Sequence, residues 1–411
     1  MPSLQLLEKY AKLAVKVGAN VQKNQYVVIR TTTETKELTR LITKESYLAG
    51  AKKVYVVWAD DYVSHDLFQY ASVDTLEEVD TWQVEQYKHF VENDSCFISV
   101  TSPIPGLNGD IDPLKMQKAA IASQKSLSFF QTHVMGNKSQ WTIVANPNPV
   151  WAKQVFPNLE ENKAVEALWD AIFNACRVTE SNDPVLEWEK HNEALSKHNK
   201  VLNDYNFKHL HFKNSLGTDL KVGLVKNHIW AGGGEKSTQG VYFNPNIPTE
   251  ENFTMPDKLV TEGKVYSTKP LNYQGKLIDE FWLEFKKGKV VAFDAKKEKG
   301  ALESLLNTDE GSRSIGEIAL ISHDSPISKT NILFLTTLFD ENASCHMALG
   351  RAYPMNIKGG LTASLKELEK QGYNQSMVHV DFMFGSSDMQ IIGTQYDGTE
   401  VVVFKDGNFV I

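Results

Sequence analysis

The segment VHVDFMFGS (378–386) places a histidine and an aspartate two positions apart inside an apolar run. Alternate residues of a β-strand point to the same side, so His379 and Asp381 can present an imidazole and a carboxylate to one point. Such a pair suits a divalent metal, but the same spacing usually belongs to an ordinary strand. His209 and His211 repeat it in FKHLHFKN, among lysines and with no acid nearby in the sequence, and we expect an exposed strand face there.

Further candidate ligands occur in the same part of the chain. IPTEENFTMP carries Glu250 and Glu251, SIGEIALIS places Glu317 at the head of an apolar strand, and ASCHMALGRAYP contains His346. Each also has an ordinary interpretation. The adjacent glutamates could start a helix, Glu317 could be a strand-end charge, and His346 could be a buried core histidine.

One of the two adjacent glutamates, combined with the other candidates, provides three carboxylates and two imidazoles. A single structural zinc ion favours cysteine, and a calcium or magnesium cage needs no histidine. Two borderline divalent ions fit the mixture better, because three carboxylates offset most of their charge. Two such ions, about 3.5–4 Å apart, can activate water and polarise a carbonyl or phosphoryl oxygen. The residue types therefore predict a dinuclear hydrolytic site.

The hydrophobic pattern indicates the elements that must position these residues. In the first part of the chain, apolar strands such as QYVVIR, KVYVVWA and WTIVANP alternate with helical stretches, which is typical of βαβ units. The residues Asn182, Asp183 and Pro184 are typical of a helix start, and a long polar helical stretch follows them. The remainder of the chain is rich in strands and in hairpin turns such as KKGK and KDGN. We predict an α/β protein: an N-terminal α/β domain with a mainly parallel sheet (1–183), a linker helix (184–202) and a C-terminal strand-rich α+β domain carrying the metal site (203–411).

Composition limits the classes of function. A chain of 411 residues is long enough for two domains, and a net charge of −8 without a basic block argues against nucleic-acid binding. The three cysteines lie far apart and show no CxxC spacing, which fits a reducing compartment. We find neither the order of regions typical of a signal peptide nor an apolar run long enough to cross a membrane. We therefore expect a cytoplasmic protein with no membrane partner.

Four segments, NIPTEENFTMP, SIGEIAL, CHMALGRAYP and VHVDFMFGSSD, resemble in order and separation the thermophilic-type metalloaminopeptidase family, typified by aminopeptidase T, aminopeptidase S and PepS-like proteins. The resemblance covers the whole C-terminal domain, and the N-terminal half is similar to the family in its alternation of strands and helices. It implies a broad-specificity exopeptidase, a metal-dependent hydrolase that removes N-terminal amino acids from peptides with a free N-terminus. It also implies a homodimer with two divalent ions (zinc, cobalt, manganese or magnesium) in the C-terminal domain.

The resemblance also implies individual roles. The implied metal ligands are three carboxylates and two histidines: Glu251, Glu317, His346, His379 and Asp381. Glu250 and Glu251 are adjacent and are expected to point in different directions, and the sequence does not decide which of them is the ligand. We take Glu251 as the ligand and Glu250 as the candidate general base. Tyr353 occupies the family's catalytic tyrosine position and would donate a hydrogen bond to the developing oxyanion.

Two alternatives remain at this point. A two-metal phosphoesterase uses the same ligand types but should also carry a basic clamp for the phosphate, and only Arg351 lies near a candidate ligand in the sequence. A non-catalytic peptide-binding or scaffold protein could retain the fold. The intact ligand motifs argue against that second alternative, because a protein without the chemistry would not need them.

Overall fold

The computed structural model describes residues 2–274 and 276–411. The N-terminal part alternates strands with helices, as the sequence pattern predicts. The strands are β1 (Tyr26–Thr32), β2 (Lys53–Ala59), β3 (Cys96–Thr101) and β4 (Trp141–Ala145). The helices are α1 (Leu4–Leu13), α2 (Lys36–Leu48), α3 (Asp61–Tyr70), α4 (Val73–Leu76), α5 (Thr81–Glu92), α6 (Pro113–Ser126), α7 (Ser128–Met135), α8 (Pro149–Val155) and α9 (Glu161–Ala175).

The four strands form one sheet in the order β2-β1-β3-β4, and all of them run parallel. Val27, Val28 and Ile29 in β1 are completely buried, as expected of a parallel strand that is covered on both faces. Local signals begin the surrounding helices. The Ser3 side chain accepts a hydrogen bond from the backbone N–H of Leu6 at the start of α1.

A long helix, α10 (Pro184–Tyr205), precedes the strand-rich part, where the sequence predicts a linker helix. The strands that follow are β5 (His209–Lys213), β6 (Asp219–Leu224), β7 (Glu235–Lys236), β8 (Tyr242–Phe243), β9 (Asn252–Thr254), β10 (Pro256–Tyr266), β11 (Leu271–Tyr273), β12 (Lys276–Lys286), β13 (Lys289–Lys297), β14 (Ile315–Leu320), β15 (His346–Gly350), β16 (His379–Met383), β17 (Gln390–Thr394), β18 (Glu400–Lys405) and β19 (Asn408–Phe409). The helices are α11 (Lys299–Leu306), α12 (Pro326–Thr330), α13 (Thr337–Asp340) and α14 (Leu365–Lys370).

Two antiparallel sheets organise this part of the chain. The larger has the order β11-β12-β10-β6-β5-β17-β18-β19, with β13 paired to β12, and the smaller has the order β16-β15-β14-β9. Apolar side chains of both sheets belong to one buried cluster, which includes Phe212, Leu283, Met347 and Phe382. The smaller sheet therefore has one face against the core, and its other face is available to polar side chains. The predicted mixed α/β fold class is confirmed.

Contacts divide the chain into two compact units. One comprises the residues up to Lys190 together with Gly234–Pro248, and the other comprises His191–Gly233 and Thr249–Ile411. Sequence analysis assigned 234–248 to the second domain, whereas its contacts group it with the first unit. Within the described ranges, none of the helices combines the length and apolar character needed to cross a bilayer.

The paired histidines of β5 acquire a neighbour that their own segment lacks. Asp219 on the adjacent strand β6 brings its Oδ1 within 2.6 Å of Nε2 of His211. The acid comes from the partner strand and not from the histidines' own segment, and both imidazoles are half-buried where an exposed face was expected. One carboxylate and one imidazole make a cross-strand pair, and neither His209 nor His211 belongs to a group of metal-donor atoms in the described part of the chain.

Candidate metal centre

Strand register brings four of the predicted residues to one face of the smaller sheet. Glu317 on β14 lies opposite Ala348 on β15, which in turn lies opposite Asp381 on β16. Opposed residues of neighbouring strands point to the same side of a sheet, as do residues two apart on one strand. His346, two residues before Ala348, and His379, two residues before Asp381, therefore share this face.

Small residues on β15 leave space between the two outer strands of this face. Ala348 occupies the middle of the row, and Gly350 follows it. Gly350 has a φ of 106°, and a Cβ there would lie 2.1 Å from the carbonyl oxygen of Val378, so only glycine fits. The alternating residues Met347 and Leu349 are fully buried in the core on the opposite face. The apolar-polar alternation of β15 thus separates the core from the site.

Glu251 approaches the same face from the fourth strand. Phe253 on β9 lies opposite Ala319, which lies opposite His346. Because Glu251 is two residues before Phe253, strand alternation directs it to the site face and directs Glu250 the other way. The contacts agree with this geometry, since Oε2 of Glu251 is 3.2 Å from Nε2 of His346.

The donor atoms form two groups that share one carboxylate. The groups are Glu251, Glu317 and His346, and Glu317, His379 and Asp381, and the atoms of each group lie within 4.8 Å of one another. Oε1 of Glu317 is 3.5 Å from Nε2 of His346, and its Oε2 is 3.7 Å from Nε2 of His379. The two oxygens of Glu317 therefore face different histidines.

A backbone hydrogen bond orients His379. Its Nδ1–H donates to the carbonyl oxygen of Arg351 at 2.7 Å, which leaves Nε2 facing the carboxylates. A metal-ligating imidazole is commonly held in this way through its second nitrogen. Burial by itself would lower the pKa of His379, but the negative charges of Asp381 and Glu317 outweigh it and raise this pKa to about 10.

Buried polar atoms in the cluster lack hydrogen-bond partners. Nδ1 of His346 and Oδ1 of Asp381 are both buried without one. Within residues 2–274 and 276–411, no lysine or arginine forms an ion pair with the carboxylates of the two donor groups. Three buried carboxylates close together are unfavourable unless positive charge offsets them, and a set of nitrogen and oxygen donors suits borderline divalent ions. The residues present therefore fit divalent metals.

A further carboxylate, Glu341, lies next to this cluster and was missed in the sequence analysis. It lies in a single 3₁₀ turn, Glu341–Ala343, just before β15. Burial, followed by the negative charges of Glu251 and Asp381, raises the pKa of Glu341 well above its usual value. The sequence contains one signal for it, because the acidic pair DE occurs five residues before a predicted ligand strand.

Tyr353 lies beside the cluster. Its ring centroid is 4.7 Å from that of His379. Burial, and then the charges of Glu317 and Asp381, raise the pKa of Tyr353 well above its usual value of 10.0. The hydroxyl therefore remains protonated at neutral pH and is able to donate a hydrogen bond.

Glu250 lies outside both donor groups. Its Oε2 is 3.8 Å from Nε2 of His191, and that nitrogen donates to the carbonyl oxygen of Thr249 at 2.7 Å. The backbone N–H of Glu250 donates to Oδ1 of Asn342 at 2.7 Å. The side chain is buried and its backbone is fixed, but its carboxylate is not placed to share an ion with Glu251.

Arg351 is exposed, and its Nε donates to the carbonyl oxygen of Ser376 at 2.9 Å. Its own carbonyl oxygen, rather than its guanidinium, serves the centre through the hydrogen bond from His379. The side chain is thus anchored to the backbone through Nε, and within the described residues no ion pair joins its guanidinium to the carboxylates of the donor groups.

Known proteins resemble this chain along its whole length. The sequence matches the family model described as "Thermophilic metalloprotease (M29)" over residues 4–409. It is 42% identical over 403 residues to Aminopeptidase 2 of Geobacillus stearothermophilus, with 98% of this chain and 97% of the relative covered. It is 44% identical over 407 residues to Aminopeptidase AmpS of Bacillus subtilis, with 98% of each covered.

The solved structure of wild-type AmpT from Thermus thermophilus has the same fold. The two chains are 37% identical, each is covered to 99%, and the TM-score is 0.92. Similarity of this extent includes both the parallel sheet and the strands that carry the donor groups.

Proposed function

The chain belongs to the thermophilic metalloprotease (M29) family and is an aminopeptidase, and we propose that it removes N-terminal amino acids from peptides with broad specificity. The proposed site of hydrolysis is a dinuclear metal centre in its strand-rich part. The arrangement of Glu317 carries this proposal. One carboxylate belongs to both donor groups, and each of its oxygens faces a different histidine. A carboxylate shared in this way is the expected feature of a site for two ions rather than one.

The proposed ligands follow from the two donor groups. Glu251 and His346 would hold one ion, His379 and Asp381 would hold the other, and Glu317 would bridge the two. When bound, divalent ions supply polarisation of the scissile carbonyl and acidification of water at neutral pH. The hydrogen bond from Nδ1 of His379 to the carbonyl oxygen of Arg351 leaves Nε2 available to bind a metal ion.

Two residues are proposed to act on the substrate or on a proton. The hydroxyl of Tyr353 would donate a hydrogen bond to the oxygen of the tetrahedral intermediate, and its raised pKa keeps the proton on the hydroxyl for this purpose. Glu250 is the proposed general base; because its carboxylate is directed towards His191 and away from the donor face, it would receive the proton of the attacking water through one intervening water and return it to the leaving amine. A carboxylate outside both donor groups is available for proton transfer because it does not hold an ion.

We further propose that the ions are zinc, cobalt, manganese or magnesium, that the protein acts as a homodimer, and that it works in the cytoplasm. The donor set of two imidazoles and three carboxylates supports these metals. None of the three described cysteines forms a disulfide, and all three are buried, which supports a reducing compartment.

A metal-replacement assay tests the proposal. The protein is stripped with a chelator, reloaded with one metal at a time, and assayed with leucine p-nitroanilide, N-acetyl-leucine p-nitroanilide and p-nitrophenyl phosphate. We expect metal-dependent release of p-nitroaniline from the free-amine substrate only. Cleavage of the acetylated substrate would contradict the exopeptidase assignment, and phosphatase activity alone would support the phosphoesterase instead.

A further inference from the structure

A cavity of about 270 Å³ lies beside the donor groups within the second unit. Its lining includes both apolar side chains and acids, among them Leu271, Leu335, Met383, Asp340, Glu341 and Asp381. Asp381 is also a proposed metal ligand, so the cavity borders the candidate centre. Its volume falls just below the range of about 300–1,000 Å³ for pockets that enclose a whole small ligand. It is suited to a single amino-acid residue.

Leu335 is held in the cavity wall by an unusual backbone. Its φ is 61°, in the left-handed region that a leucine rarely adopts. Asp340 holds the loop in this form, because its Oδ1 accepts the N–H of Phe334 at 2.7 Å and its Oδ2 accepts the N–H of Thr336 at 3.0 Å. Strain that is retained in this way often marks a binding or catalytic site. Here it places an apolar side chain on the wall of the cavity.

The two neighbouring acids of the cavity differ in what they contact. Both oxygens of Asp340 are engaged by the loop backbone. Glu341 lines the cavity, and within the described ranges its carboxylate has neither a hydrogen bond nor an ion pair. It also belongs to neither donor group. Glu341 is therefore a carboxylate that faces the cavity and is available to a cationic ligand.

Building on the proposed function, we propose that this cavity binds the N-terminal residue of the substrate. The side chain of that residue packs against Leu271, Leu335 and Met383, and its α-ammonium group binds the carboxylate of Glu341. Because Asp381 both lines the cavity and belongs to a donor group, a residue bound in this way would have its peptide carbonyl next to the candidate metal centre. The ligand class is a peptide with an unblocked amine and an apolar first side chain no larger than phenylalanine.

Substitution of Leu335 tests the side-chain subsite. In metal-loaded enzyme, we expect Leu335→Phe to lower the ratio of kcat/KM for phenylalanine p-nitroanilide over alanine p-nitroanilide about tenfold, because the larger residue fills the cavity. Leu333→Phe is the matched control on the same loop, since Leu333 does not line the cavity, and it should leave the ratio unchanged.

Leu335→Ala covers the case in which the larger side chain prevents folding, and it should shift the ratio towards phenylalanine. An unchanged ratio in a folded Leu335 variant, or an equal loss for both substrates, would overturn the subsite.

Substitution of Glu341 tests the ammonium site. Glu341→Gln preserves size and removes the charge, so we expect KM for leucine p-nitroanilide to rise about tenfold or more. Metal content should stay at the wild-type level, and Glu341→Asp should restore part of the affinity. Loss of metal from Glu341→Gln would show that Glu341 is a ligand instead, and an unchanged KM would also overturn the assignment.

The two proposals can fail separately. If metal-loaded wild-type enzyme released no p-nitroaniline, the proposed function would be wrong. Active wild-type enzyme whose Leu335 and Glu341 variants behaved like the wild type would refute only the cavity assignment.

Discussion

At the scale of single residues, the position of a carboxylate within its strand decides what it can do. Glu250 and Glu251 have the same chemistry and adjacent positions, but only Glu251 approaches His346, at 3.2 Å. Glu250 lies 3.8 Å from Nε2 of His191 instead. A difference of one residue along an extended segment reverses the side-chain direction, so two identical groups contact different histidines.

The adjacent glutamates provide a matched pair of variants. We expect Glu251→Gln to lose bound metal as well as activity, because it removes one charged ligand. Glu250→Gln should retain metal and lower kcat by about 10²–10⁴-fold, the usual contribution of a general base. Metal analysis alongside steady-state kinetics separates the two effects. Metal loss in Glu250→Gln with retention in Glu251→Gln would reverse the assignment.

Tyr353 gives a second prediction at this scale. Tyr353→Phe removes only the hydroxyl, so we expect kcat to fall about 10²–10³-fold while metal content and fold are unchanged. The physical reason is the loss of one oriented donor to the oxyanion. Steady-state kinetics and metal analysis provide the measurement. Wild-type kcat in this variant would exclude Tyr353 from the reaction.

At the scale of elements, the small sheet β16-β15-β14-β9 is what turns scattered residues into a site. Its register aligns Glu317, Ala348 and Asp381 in one row, with an alanine between two carboxylates. The opposite face packs into the core, so the strands cannot rotate or slip by one residue without exposing apolar side chains. The same alternation that stabilises the sheet therefore fixes the donor geometry.

The β5 strand gives a prediction about stability and pH. Burial, followed by the charges of Lys221 and Lys208, lowers the pKa of His209 to about 4 from 6.5. Between about pH 4 and pH 6.5, His209 is therefore neutral in the folded protein and protonated in the unfolded chain. The stabilisation is complete above about pH 6.5 and is lost as the pH falls towards about 4. His209→Gln should reduce this loss.

Urea unfolding of the wild type and His209→Gln at several pH values between these limits measures the difference. The free energy of unfolding should fall less steeply with acidification in the variant. Parallel profiles for the two proteins would contradict the effect.

At the scale of the whole molecule, the metal centre links activity to stability. The second unit buries the three carboxylates of the donor groups close together, with Glu341 beside them. Mutual repulsion of these groups opposes folding until cations or protons neutralise them. The first unit, with its parallel sheet, contributes none of the proposed ligands.

Metal removal should therefore lower thermal stability as well as abolish turnover. A ligand present at 1,000 times its Kd stabilises the folded state by about 4 kcal/mol, so we expect a clear fall in Tm after chelation that zinc or cobalt reverses. Calorimetry with and without chelator measures it. His379→Ala serves as the control, because its Tm should respond less to metal. An identical Tm in both states of the wild type would contradict a stabilising metal centre.

Much of this protein could be predicted from its sequence. Short apolar strands between helices indicated the parallel sheet, and hairpin turns indicated the strand-rich part, because both signals depend on neighbouring residues. The α/β fold class and the metalloaminopeptidase family inferred from four ordered segments are confirmed. Spacing along one strand indicated the pair His379 and Asp381, whereas Glu251, Glu317 and His346 were named from their occurrence together and from the family resemblance.

Tertiary structure alone decided which groups meet. Strand register, which pairs residues far apart in the chain, made Glu317 the carboxylate common to both groups and gave His211 its acidic neighbour Asp219. Glu341 lies near the centre but belongs to a 3₁₀ turn of three residues, which is too short to show a hydrophobic period in the sequence. Periodicity reports which side of its own element a residue faces, whereas cross-strand pairing and loop closure determine what it faces. The segment VHVDFMFGS therefore predicted two candidate ligands, His379 and Asp381. Strand pairing brought the other three, Glu251, Glu317 and His346, close to them.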